Sequence, residues 1–130
     1  MNGRFLLDTN IIIGIFSGNA EILNNFANAS ESFAPSIAIG ELYYGAHKSS
    51  KNKDNFSKIE EFANTISVIS CDESTAKIYG GIKYRLKEKG NPIPENDLWI
   101  AAVAIQHDLT LVTRDAHFLA VDELKTAEWR

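Results

Sequence analysis

Arg4-Phe5-Leu6-Leu7-Asp8-Thr9-Asn10 carries the information that decides the fold. Residues 4 to 7 are almost continuously apolar and end abruptly on a carboxylate. Such a run is what a strand shows when helices cover both of its faces. A second run of the same kind, Leu109-Thr110-Leu111-Val112-Thr113, lies near the other end of the chain. The segments between them have mostly helical spacing. Residues 10 to 16, after the capping residues Asp-Thr-Asn, read as helix, as do residues 20 to 28. Ser32-Phe33-Ala34-Pro35 is a short strand stopped by its proline. Ser36 to about His47 is helical, with Ile37, Glu41, Tyr44 and Gly45 on one face. Residues 52 to 64 form a polar-rich amphipathic helix and Ser67-Val68-Ile69-Ser70 a strand. Asp72 caps a long helix to about Lys89, which Gly90 ends. Pro92 and Pro94 lie in a loop, and helix resumes near Asn96. The tail offers one helical turn and a final edge strand near Thr126.

Strands that alternate with helices predict an α/β fold: one domain over residues 1–130, an α/β/α sandwich with a mainly parallel central sheet. In such sheets ligands bind beyond the carboxyl ends of the strands, where the strand order switches. Asp8 directly follows the first strand, and Asp115 lies two residues after the strand ending near Thr113. Both are expected at the same sheet edge. Asp97 stands in the first turn of an apolar helix, Leu98 to Ala104, and points toward that edge too. Glu41 lies in an apolar helix, where a carboxylate without a partner is costly to bury.

Singly, each acid has an ordinary role: Asp8 and Asp115 as turn residues, Asp97 as a partner of the helix dipole. Together four acids at one edge repel one another, and a hard divalent cation, Mg²⁺ or Mn²⁺, resolves that repulsion. Such an ion polarises a phosphate oxygen, lowers the pKa of a water and stabilises a leaving oxygen. His47, His107 and His117 are scattered and read as surface or capping residues. No Walker loop or GxGxxG accompanies the acids, and the Gly80-Gly81 pair reads as a packing contact.

The 130 residues suit one domain. At 45 % hydrophobic and 23 % charged, the chain has a globular composition rather than a disordered one. Its single cysteine, Cys71, excludes an internal disulfide framework and a thiolate zinc site. No apolar run approaches the ~18 residues of a membrane span, and the first residues lack the pattern of a signal peptide. A cytoplasmic location, away from membranes, is expected. The net charge of −4 alone argues against nucleic acid. Basic residues nevertheless cluster: Lys77, Lys83, Arg85, Lys87 and Lys89 in one stretch, Lys48, Lys51, Lys53 and Lys58 in another. Such stripes can neutralise a phosphate backbone or be ordinary solvated faces. Tyr43, Tyr44 and Tyr84 are assigned to core packing rather than to base stacking.

Four blocks in order, FLLDTN at 5–10, GELYYGA at 40–46, PENDLWIAAVA at 94–104 and LVTRDAHF at 111–118, resemble the PIN-domain nucleases, and among them the VapC-type toxins of bacterial toxin–antitoxin pairs. The resemblance covers essentially the whole chain. It implies an α/β/α sandwich and a metal-dependent ribonuclease whose Mg²⁺ or Mn²⁺ is held by Asp8, Glu41, Asp97 and Asp115. It also implies Asn10 and Thr113 as supporting hydrogen-bonding groups, and Arg85, with Lys83, Lys89 and Arg114, near the RNA. Some members carry a further acid just after the fourth; here His117 stands near that place. The resemblance further implies a homodimer and a cognate antitoxin. Two other readings remain at this point: a non-catalytic RNA- or protein-binding module of the same fold, and a phosphotransfer domain of haloacid-dehalogenase or response-regulator type with Asp8 as nucleophile. The dehalogenase type wants an acid where Asn10 stands.

Overall fold

A computed structural model describes residues 3–130. Five strands form one sheet: β1 (Arg4–Leu7), β2 (Glu31–Pro35), β3 (Ser67–Ile69), β4 (Thr110–Val112) and β5 (Thr126–Ala127). The order is β3-β2-β1-β4-β5, and every pairing is parallel. Six helices connect them: α1 (Thr9–Phe16), α2 (Ala20–Asn28), α3 (Ser36–Lys48), α4 (Asn52–Thr65), α5 (Glu73–Glu88) and α6 (Glu95–Gln106). A 3-10 turn spans Ala116–Ala120.

Alternation along β1 and β4 sends side chains to two separate cores. Leu6 and Leu111 pack with α5, α6 and Phe118 on one face. Phe5, Leu7 and Val112 pack with Ile11, Ile12, Ile22 and Leu42 on the other. Strands buried on both sides must be apolar at successive positions, which is why their sequences lack polar alternation. α6 is buried around most of its circumference from Leu98 to Ala104; its alanines let neighbouring elements approach closely.

The chain builds β1, β2 and β3 outward in one direction, then crosses through α5 and α6 to lay β4 on the other side of β1. The reversal places a topological switch point between β1 and β4, where a crevice opens at the carboxyl ends of the strands. Local chemistry fixes the elements around it. Asp8 ends β1 and caps α1, its side chain accepting from the Thr9 N–H. Asp72 and Thr75 form a reciprocal capping box on α5. Gly90 takes φ +69°, the left-handed conformation that stops α5.

Two expectations require correction. Tyr44 and Tyr84 are each 66 % exposed rather than part of the core, because their faces of α3 and α5 point away from the sheet. Gly80 is exposed, and a Cβ there would meet nothing within 4 Å, so it is not a packing contact. Helix α6 starts at Glu95, in agreement with a start near Asn96, with Pro94 in the capping position. No helix among the described residues is long and apolar enough to cross a membrane.

Candidate metal centre

Asp8, Glu41, Asp97 and Asp115 line a single open cleft of about 620 Å³ beyond the β1–β4 edge, together with Asn10 and His117. Asp8 is its deepest member, 3 % exposed. Its Oδ1 accepts from the Thr9 N–H at 2.8 Å and its Oδ2 from the Thr113 hydroxyl at 2.7 Å. Its backbone N–H donates to the Val112 carbonyl at 3.0 Å, which continues the β1–β4 pairing to the edge of the site. Thr113 also accepts from the Asp115 N–H at 3.0 Å. One hydroxyl thus couples the two strand-end acids.

Glu41 projects from α3, is half-buried and has the partner that its place in an apolar helix calls for. Its Oε1 accepts from the Thr9 hydroxyl at 2.7 Å. Asn10 donates from Nδ2 to Asp115 Oδ2 at 3.3 Å, while its Oδ1 is buried without a hydrogen-bond partner among the described residues. Asp97 enters from the first turn of α6, and its Oδ2 lies 2.6 Å from Nε2 of His117. His117 is therefore not a separate surface or capping residue. The 3-10 turn, anchored by fully buried Phe118, swings its imidazole into the cleft. Spacing in the sequence could not show this, since residue 117 reaches residue 97 only through the sheet. The one available signal was the adjacency of Asp115 and His117 after a strand end.

Burial pushes the Asp8 carboxyl up from 3.8 to about 6, with the charges of Asp97 and Asp115 adding to the rise; the hydrogen bonds from Thr113 and Thr9 oppose it. Burial likewise raises Asp97, opposed by His117 and reinforced by Asp115 and Glu41. The charges of Asp97 and Asp115 thus reach Asp8, and those of Asp115 and Glu41 reach Asp97, with burial the larger cause in both. One ligand atom from each of Asp97, Asp115 and His117 lies within 4.8 Å of the other two. Carboxylate oxygens in mutual repulsion beside an amide oxygen without a donor suit a hard divalent cation. The residues present therefore fit Mg²⁺ or Mn²⁺: Asp97, Asp115 and the His117 imidazole form the converging group, and Asp8 and Glu41 line the same cleft outside it.

The basic residues expected near RNA lie outside the cleft lining. Lys83 pairs with Glu95 at 3.2 Å, Arg85 with Glu123 at 2.8 Å and Lys89 with Asp122 at 2.8 Å. Arg114 is exposed and lines a neighbouring hollow that shares Asp115 with the cleft.

A parallel sheet with this strand order, closed at its switch point by acids from β1, α3, α6 and the β4 end, defines a PIN domain. The PIN domain family matches residues 5–124, and the chain belongs to that family. Within it, the chain is homologous to the VapC toxins of type II toxin–antitoxin systems. It is 37 % identical over 129 residues to Ribonuclease VapC2 of Haemophilus influenzae, covering 97 % of this chain and 98 % of that one. It is 34 % identical over 129 residues to the tRNA(fMet)-specific endonuclease VapC of Shigella flexneri, with the same coverage of 97 % and 98 %. In structure it matches DNA-bound VapBC from Salmonella typhimurium with a TM-score of 0.91 at 32 % identity, over 98 % of each chain.

Proposed function

We propose that this protein is a Mg²⁺- or Mn²⁺-dependent endoribonuclease and the toxin of a toxin–antitoxin pair. The observation that carries the reading is the convergence of Asp8, Glu41, Asp97 and Asp115 on one cleft from four separate stretches of chain. The similarity to proteins named as ribonucleases and as a tRNA-specific endonuclease supports the choice of RNA. The similarity to a DNA-bound VapBC complex supports a cognate antitoxin as partner. A homodimer acting in the cytoplasm completes the reading.

In this role the four acids would hold the cation, which when bound would supply charge stabilisation at the scissile phosphate and make water a better nucleophile. The protein's own part is positional. Thr9 and Thr113 each fix one oxygen of Glu41 and Asp8. Asn10 and His117 hold Asp115 and Asp97. Orientation of this kind keeps the carboxylates aimed at the cleft without reorganisation during reaction. A cleft carboxylate takes the proton of the attacking water as its oxygen bonds to phosphorus; the P–O3′ bond breaks in line and the leaving oxygen takes a proton from solvent, giving 5′-phosphate and 3′-hydroxyl ends.

The test is cleavage of labelled RNA in Mn²⁺ by the wild type and by Asp8→Asn. The wild type should cut and EDTA should stop it. The variant should fold and lose activity by roughly two orders of magnitude or more, as expected when a group stabilising transition-state charge is removed. Equal cleavage by both would refute the assignment. RNA binding without cleavage, insensitive to EDTA, would support the non-catalytic module instead. An aspartyl phosphate trapped at Asp8 would support the phosphotransfer reading.

A further inference from the structure

Among the described residues, no lysine or arginine lines the carboxylate cleft. A polyanion brought there must therefore be gripped beside it. The stripe at residues 83–89 is poorly placed for that task, since Lys83, Arg85 and Lys89 each already face an acid.

A second open trough, about 670 Å³, shares Thr9, Glu41 and Asn96 with the cleft and runs along α3. Its far end is formed by Tyr44 and Lys48. Tyr44 is 66 % exposed, and its ring lines the trough. The Lys48 ammonium lies 4.5 Å from the ring centroid, and Lys48 pairs with no carboxylate among the described residues. Glu41, Tyr44 and Lys48 are spaced at three and four residues, so they share one face of the helix and rise roughly 10 Å along it. Gly40 and Gly45 line the same trough, and a Cβ at either would meet nothing within 4 Å. The absence of side chains there keeps the floor open beside the ring.

We propose that the α3 trough is a nucleotide subsite of the nuclease: Tyr44 stacks on the base next to the cleavage point and Lys48 takes its phosphate. This rests on the ribonuclease reading above. An aromatic face joined to a cation, reached directly from the catalytic carboxylates, has the chemistry of a single-strand binding platform. Stacking tolerates any base, so the subsite contributes affinity and register rather than strict sequence choice.

The experiment measures binding of a short fluorescein-labelled, phosphorothioate-linked single-stranded RNA in Mg²⁺ by anisotropy, with sedimentation mass recorded for each variant. Tyr44→Ala should weaken binding roughly 5- to 100-fold, the range for loss of one base–aromatic stack, whereas Tyr44→Phe should stay close to wild type. Lys48→Ala should lower the slope of log affinity against log salt by about 0.7, the value for one phosphate contact on a single strand. Neither residue is buried, so the melting temperature should not move. Wild-type affinity in Tyr44→Ala overturns the subsite while leaving the nuclease reading intact if the wild type still cuts RNA. A fall in sedimentation mass in Tyr44→Ala also overturns it and assigns the trough to contact with a second copy of the chain. No RNA binding or cleavage by the wild type removes the nuclease reading and the subsite with it.

Discussion

Thr113 donates its hydroxyl to Asp8 at 2.7 Å across the β1–β4 boundary, and both residues are buried. This bond opposes the upward push of burial on the Asp8 carboxyl. Thr113→Val removes the donor at nearly constant volume and leaves a buried carboxylate oxygen without its partner. The acid limb of the pH–activity profile should move to higher pH. Stability at neutral pH should fall by about 1–3 kcal/mol, the cost of a buried group left unsatisfied. A pH–rate profile and a urea melt check the two outcomes together.

Asp8 makes the protein without cation less stable as pH rises. Its folded-state pKa of about 6 lies above the ordinary 3.8, so the folded chain binds this proton more tightly than the unfolded chain does. The resulting stabilisation is fully present below about pH 3.8, falls as pH rises toward 6 and is lost above that. At 1.36 kcal/mol per pH unit the whole effect is on the order of 3 kcal/mol. Asp8→Asn, measured by urea melts in EDTA, should therefore be more stable than wild type by roughly 1–3 kcal/mol at pH 7.5 and close to it at pH 4. An equal difference at both pH values would contradict the burial argument.

His117 offsets the crowding of Asp97 by Asp115 and Glu41. Its replacement by Ala should weaken Mn²⁺ binding roughly tenfold, the lower end of the range for residues that orient metal ligands. His117→Gln can still offer an amide donor to Asp97 and should recover part of the loss. Mn²⁺ affinity equal to wild type in His117→Ala would show that the imidazole does not position the carboxylate.

Much of the fold was legible because its decisive segments are local. Phe5-Leu6-Leu7 and Leu109-Thr110-Leu111-Val112 are apolar at successive positions, which only a doubly covered strand requires. Asp72, Asp8 and Gly90 mark helix ends by their own backbone chemistry. The approach of Asp8 and Asp115 follows from parallel strands that share a carboxyl edge. What remained hidden depends on tertiary placement. The exposure of Tyr44 and Tyr84 is set by which side of α3 and α5 meets the sheet, and an aromatic residue does not announce that. His117 joins Asp97 through a 3-10 turn that periodicity cannot place. The pairing of Lys83, Arg85 and Lys89 with Glu95, Glu123 and Asp122 brings together residues far apart in the chain.

Isothermal titration of the wild-type protein with Mn²⁺, beside Asp8→Asn and Asp97→Asn, tests most directly whether these carboxylates form a cation site. The wild type should bind Mn²⁺, and each variant should bind at least roughly tenfold more weakly, because each removes a charged oxygen donor from the same ion. Absence of binding by the wild type, or equal affinity in all three proteins, would contradict the account.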